Sequence, residues 1–195
     1  MRKLSCLLLA TCMTTPLSAQ ETRQLDAHEH GVGQLDIAID GDRVAMELHA
    51  PGADIVGFEY AANGDEDRAA VDAAVTRLSK PLDLFVPSAD AACSVIRASA
   101  ELEAEDAHHD DEHDEHDEHD EHDGADHEGE VGHTEFHAEY LLECAGPAAF
   151  NEITFAYFET FPNAMKLEVQ LISDTGATSF DVDRAEPTLD LNTTR

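Results

Sequence analysis

Positive charge is scarce in this sequence. Eleven lysines and arginines stand against 43 aspartates and glutamates, and the formal net charge is −32 with histidines neutral. A chain so acidic is repelled by nucleic-acid phosphates and by anionic membrane surfaces, and its natural partners are cations. A bilayer-spanning apolar run is also missing: such a run needs about 20 residues, and the stretch from Leu4 to Met13 falls well short. Arg2 and Lys3 precede that stretch and Leu17-Ser18-Ala19 follows it, the layout of a secretory signal. Residues 1–19 are therefore read as a signal peptide, and residues 20–195 as a single domain exported to the periplasm, with no membrane insertion after cleavage. Leu9-Ala10-Thr11-Cys12 is a poor lipoprotein box, because threonine precedes the cysteine.

Cysteine is scarce as well. Of four, Cys6 and Cys12 fall in the signal, which leaves Cys93 and Cys144. In an oxidising compartment such a pair reads as a disulfide. The rival reading, a pair of thiolate zinc ligands, is weakened because neither cysteine has a second one near it in sequence.

A third lack is local. Between Glu105 and Glu130 there is no aromatic and no β-branched residue, while fifteen carboxylates and seven histidines are present. Such a segment cannot bury enough apolar surface to offset its ordering entropy. The sequence thus predicts a disordered insertion over residues 105–132. Its centre is DEHDEHDEHDEHD, from Asp111 to Asp123. His113, His116, His119 and His122 recur every third residue, with His108, His109 and His127 on either side.

Neutral imidazole is a good ligand for Zn²⁺, and also for Cu²⁺ and Ni²⁺, and carboxylates add charge and further ligands. A period of three never forms one face of an α-helix. In polyproline II the histidines align, but without a fixed tetrahedral cage. The expectation is several exchangeable sites of moderate affinity. The bland readings, an acidic solubilising loop or a pH-sensing loop, leave the regularity of the triplets without a reason.

The rest of the chain reads as strands. Leu35, Ile37 and Ile39 alternate with polar residues, and Val44, Met46 and Leu48 repeat the pattern across Ile39-Asp40-Gly41-Asp42. That is the signature of a hairpin. With a type I′ turn centred on Asp40-Gly41, Ile37 faces Val44 and Val32 faces His49. Asp65 is placed as the cap of a helix with Val71, Ala74, Val75 and Leu78 on one stripe, ended by Pro81. Strands follow over Cys93–Leu102, Thr134–Cys144 and Ile153–Phe158. A second hairpin, Lys166–Ile172 with Ala177–Val182, turns at Asp174-Thr175-Gly176, and a short strand lies near Leu189. The fold class is α+β: a mostly antiparallel β-sheet domain with one main helix, and the His/Asp/Glu-rich insertion between two strands. If the strands beginning at Cys93 and ending at Cys144 pair, the disulfide lies at the hairpin end remote from the insertion. It then closes a loop of about 50 residues and stabilises the domain by roughly 4 kcal/mol.

Outside the repeat, the same register places His28, His30 and His49 on one polar face, as candidates for an ordered zinc site with an open fourth position. His133 and His137 stand at the base of the insertion; within one strand they would lie about 13 Å apart, too far for one ion unless His133, which follows Gly132, belongs to the loop instead. They are expected to serve as feeder ligands.

The stretch Ala27-His28-Glu29-His30-Gly31, then the hairpin, Gly57-Phe58-Glu59, the helix, the Cys93 strand, the insertion and Glu143-Cys144, resembles the ZrgA family of periplasmic zinc-uptake proteins. The resemblance spans essentially all of the chain after residue 19. It implies a zinc-binding accessory of a zinc import system that acts beside an ABC-type transporter. The alternative is a periplasmic buffer or detoxification protein for zinc, copper or nickel. An enzyme is not expected: a metallohydrolase needs a preformed site with a positioned base, and although Glu29 and Glu47 lie near the histidines, no cleft is signalled.

Overall fold

A computed structural model describes residues 29–104 and 133–194. The elements run β1 (Val32–Asp40), β2 (Arg43–Pro51), α1 (Gly52–Ile55), α2 (Asp65–Leu78), α3 (Pro81–Leu84), β3 (Phe85–Pro87), β4 (Cys93–Ala104) and β5 (Thr134–Cys144). They continue with β6 (Glu152–Phe155), α4 (Tyr157–Thr160), β7 (Lys166–Ser173), β8 (Gly176–Asp183) and β9 (Thr188–Asp190). The fold is α+β and mostly sheet, as the alternating sequence pattern predicts. Among the described residues only α2 is a substantial helix, with 14 residues. The proposed signal peptide, His28 and the whole of residues 105–132 lie outside the described residues.

The strands form a six-stranded sheet in the order β4-β5-β2-β1-β7-β8 and a separate three-stranded sheet, β3-β6-β9. The strand near Leu189 therefore joins the small sheet. Within the large one, every pairing is antiparallel except β1 with β7, which run parallel from Val32↔Lys166 to Ala38↔Ile172.

The first hairpin forms as expected, but its register differs by two residues. Asp40 pairs with Arg43, Ile37 with Met46 and Leu35 with Leu48. Gly41 and Asp42 are the turn's central residues, and of the two only Gly41 has positive φ, at +61°. A glycine at the first central position is what a type II′ turn takes, whereas type I′ needs positive φ at both. A shift of two keeps every side chain on its expected face. It also moves His49 from opposite Val32 to opposite Gln34, farther from His30.

Two other expectations change. The helix begins at Asp65 with Gly64 as its N-cap, so Asp65, Glu66 and Asp67 serve instead as a negatively charged first turn that complements the helix dipole. The strand over Ile153–Phe158 stops at Phe155, and Tyr157–Thr160 is helical. Tyr157 and Phe158 are adjacent and both buried. A strand sends neighbours to opposite faces, whereas a helical turn can put both into the core.

Strand alternation sets the layers. Val44, Met46, Leu48 and Ala50 of β2, with Phe136, Ala138, Tyr140 and Leu142 of β5, point into the core with Leu35 and Ile37 of β1. Each fully buried side chain of Leu or Phe size contributes about 1.5–3 kcal/mol. Beneath the sheet lies an aromatic cluster in which Phe85 stacks on Tyr157 at 5.9 Å and meets Phe155 edge-on at 5.7 Å. The opposite face of the sheet carries His49 and His137.

At the outer end of the β4–β5 ladder, Cys93 pairs with Cys144 and the two are disulfide-bonded. The ladder runs from there to Ala104↔Thr134, so the bond closes the end remote from the insertion.

Candidate metal centre

On β2 and β5 the residues that do not enter the core are Arg43, Ala45, Glu47 and His49, and Glu135, His137, Glu139, Leu141 and Glu143. The two strands are neighbours, and His49 pairs directly with His137. Their rings stack with centroids 4.6 Å apart and planes 19° from parallel. Oε1 of Glu47 lies 3.2 Å from His49 Nε2 and 3.1 Å from His137 Nε2. One carboxylate oxygen thus draws the same nitrogen of two imidazoles to a point.

The other ring nitrogens face further carboxylates. His49 Nδ1 is 3.3 Å from Oε2 of Glu135, and His137 Nδ1 is 3.7 Å from Oε1 of Glu103. A carboxylate behind an imidazole fixes its tautomer and raises its basicity, the usual support for a metal-ligating histidine. The ligand atoms of Glu47, His49 and His137 all lie within 4.8 Å of one another, and so do those of Glu101, Glu103 and His137. Two nitrogens and an oxygen with the remaining direction open suit zinc that must be exchanged.

The electrostatics agree. The His49 ring is pushed up to about 9, chiefly by its hydrogen bond to Glu135 and further by Glu47, with burial acting against them. The Glu47 carboxyl is held below its ordinary value, first by its hydrogen bond to His49. Without metal, therefore, the cluster holds a proton between carboxylates, where a divalent cation would serve better. Glu47 also lines a shallow hollow of about 190 Å³ beside Asp36, Arg97, Glu139 and Ile172.

The predicted site residues divide. His49 and His137 come together. His30 does not join them; its Nε2 lies 2.9 Å from Oε1 of Glu59. The expected convergence of His28, His30 and His49 rested on Val32 facing His49, and the actual register removes that basis. His133 and His137 go to different carboxylates, Glu59 and Glu47, in keeping with their wide spacing along the chain. His28, His108, His109, His113, His116, His119, His122 and His127 lie outside the described residues.

Sequence reasoning did not find the carboxylates Glu59, Glu101, Glu103 and Glu135, nor His137 as the partner of His49. The available signal was the alternation of β5, which puts Glu135 and His137 on the polar face. The adjacency of β2 and β5 has no local signature.

No helix among the described residues is long and apolar enough to cross a membrane. A family model described as ZrgA family zinc uptake protein matches residues 27–191. No curated protein matches the chain.

Proposed function

Because the chain belongs to the ZrgA family of zinc uptake proteins, we propose that it captures zinc in the periplasm and passes it to an ABC-type importer as a binding accessory, without catalysing a reaction. The observation that carries this reading is the convergence of His49 Nε2 and His137 Nε2 on one oxygen of Glu47. Zinc arriving there displaces the His49 proton and takes both Nε2 atoms and the Glu47 oxygen. Glu135 and Glu103 remain behind the rings and hold them in place.

Two imidazoles favour zinc over calcium and magnesium, which prefer oxygen ligands. Copper and nickel suit the same donors, so availability decides between them. Glu101, Glu103, Glu135 and Glu139 crowd the same face and raise the local concentration of cations. The open side of the site allows an incoming ligand to attack the bound ion, as delivery requires. In this reading the histidines of the insertion add weaker, exchangeable capacity, and residues 1–19 direct export.

The test is zinc titration of the chain without residues 1–19, by calorimetry in competition with a chelator. One variant carries His49→Asn with His137→Asn; another carries asparagine at all seven histidines from His108 to His127. The first should lose the tightest event and keep most of the capacity, and the second should do the reverse. A tightest event that survives His49→Asn with His137→Asn overturns the assignment. Delivery is tested by mixing zinc-loaded protein with the metal-free binding protein of a zinc importer. Transfer no faster than zinc dissociation into a chelator would rule out a direct handover.

A further inference from the structure

The far end of the same sheet carries a second cluster of chemistry, assembled from parts of the chain that the first does not use. His30 lies just ahead of β1, and His133 just ahead of β5. Glu59 lies in the connection from α1 to α2. His30 Nε2 is 2.9 Å from Oε1 of Glu59, and His133 Nδ1 is 2.9 Å from Oε2. One carboxylate holds two imidazoles, each by its own oxygen.

The anchor is fixed and the rings are not. The Glu59 side chain is 12% exposed, against 68% for His30 and 60% for His133. Glu59 is held because the chain crosses closely over Gly52: a Cβ there would lie 2.6 Å from the Phe58 carbonyl oxygen and 2.5 Å from Oγ1 of Thr134. Gly57, with φ +86°, completes the turn. Nδ2 of Asn163 donates to the Ala53 carbonyl at 3.0 Å and ties down α1, from which the loop leaves.

A second, independent observation points the same way. Asp54 of α1 is 2% exposed. Its Oδ1 accepts the N–H of Gly31, the residue after His30, at 2.7 Å. Its Oδ2 is buried with no hydrogen-bond partner among the described residues. A buried carboxylate oxygen left unpaired is costly, and a cation held by His30 and Glu59 would offset that cost.

We propose that His30, Glu59 and His133 form a second zinc site, separate from the Glu47–His49–His137 centre, with buried Asp54 tied to its His30 end through the Gly31 N–H. The rings rest on different oxygens of Glu59; to share one ion they would turn toward a common point in front of it, giving two nitrogens and one carboxylate, with water completing the coordination. His133 stands just ahead of β5 and turns to Glu59, whereas His137 lies within the strand and turns to Glu47, so the two sites have separate anchors. The inference rests on reading the chain as a zinc-capture protein. It adds a station at the end of the sheet where His133 returns the chain to the fold.

The test uses the chain without residues 1–19, labelled with ¹⁵N in its histidines, with zinc added stepwise and the imidazole signals followed one by one. His30 and His133 should shift together. Either His133→Asn or Glu59→Gln should cancel the response of His30 and leave that of His49 and His137 intact. Because His133 is an exposed side chain, His133→Asn remains informative if Glu59→Gln disturbs the loop. A His30 response that persists unchanged in His133→Asn overturns the site, and so does the absence of any response at His30 and His133. In that last case, a response retained at His49 and His137 means that only the second site fails. If all four stay silent, the zinc-capture reading fails with it.

Discussion

His49 and His137 face each other across the β2–β5 ladder with their rings 4.6 Å apart, and both direct Nε2 at Oε1 of Glu47. A single divalent ion satisfies both rings and the carboxylate at once.

Removing either ring should therefore weaken the tightest zinc binding. His137→Asn is expected to lower that affinity tenfold or more. Glu135→Gln, at the carboxylate that faces Nδ1 of His49, should cost about 10–100-fold by loosening the ring's orientation. Competition with a chromophoric chelator measures both. Wild-type affinity in both variants would remove the centre from this face.

The raised pKa of His49 gives a pH signature with opposite signs for metal and fold. Its folded value, about 9, exceeds the ordinary 6.5. In the metal-free protein the protonated ring is stabilised by Glu135 and Glu47. That contribution is full below about pH 6.5 and is lost as pH rises through about 9. Zinc needs the neutral ring, so its affinity should climb over the same interval, with proton release on binding. Thermal melts of the metal-free chain from pH 6 to 9.5, beside His49→Gln, should show the wild type losing its advantage toward high pH. Parallel curves would mean that His49 titrates normally.

Reduction of the Cys93–Cys144 disulfide should cost about 4 kcal/mol, the loop-entropy value for a ring of this size. Urea unfolding with and without reductant checks it. The tightest zinc affinity should survive reduction below the unfolding midpoint, since the ladder between β2 and β5 does not depend on the bond.

Gly52→Ala forces a Cβ to within 2.6 Å of a backbone carbonyl. Overpacking of this kind typically costs about 1–3 kcal/mol. The strain falls on the Phe58–Glu59 loop, so zinc shifts at His30 and His133 should weaken while those at His49 and His137 persist. Unchanged behaviour at all four rings would show that the loop is not held by this crossing.

How much of this was legible in the sequence follows from how local each signal is. Leu35, Ile37, Val44, Met46 and Leu48 announce a hairpin within fifteen residues or so, and the composition of residues 105–130 marks the insertion's bounds. The register was missed by two because Asp40-Gly41 looks like a type I′ pair, whereas the chain uses Gly41 at the first central position. The meeting of His49 with His137 depends on β2 lying beside β5, and that of His30 with His133 on Glu59 reaching between them. Neither depends on neighbours in sequence. The parallel pairing of β1 with β7 and the division into two sheets are likewise products of packing.

The closed root of the β4–β5 hairpin bears on how this protein can change over generations. Ala104 pairs with Thr134, and the ladder behind them ends in a disulfide, so the two strands are joined by contacts that involve none of the residues between. Doubling the length of a flexible loop adds only about 0.6 kcal/mol, less than one well-buried leucine contributes. A repeated Asp-Glu-His triplet is the kind of tract that gains and loses units by slippage during copying of its gene. Units can therefore be added to that tract or lost from it at little cost to the ladder that sets His49 opposite His137.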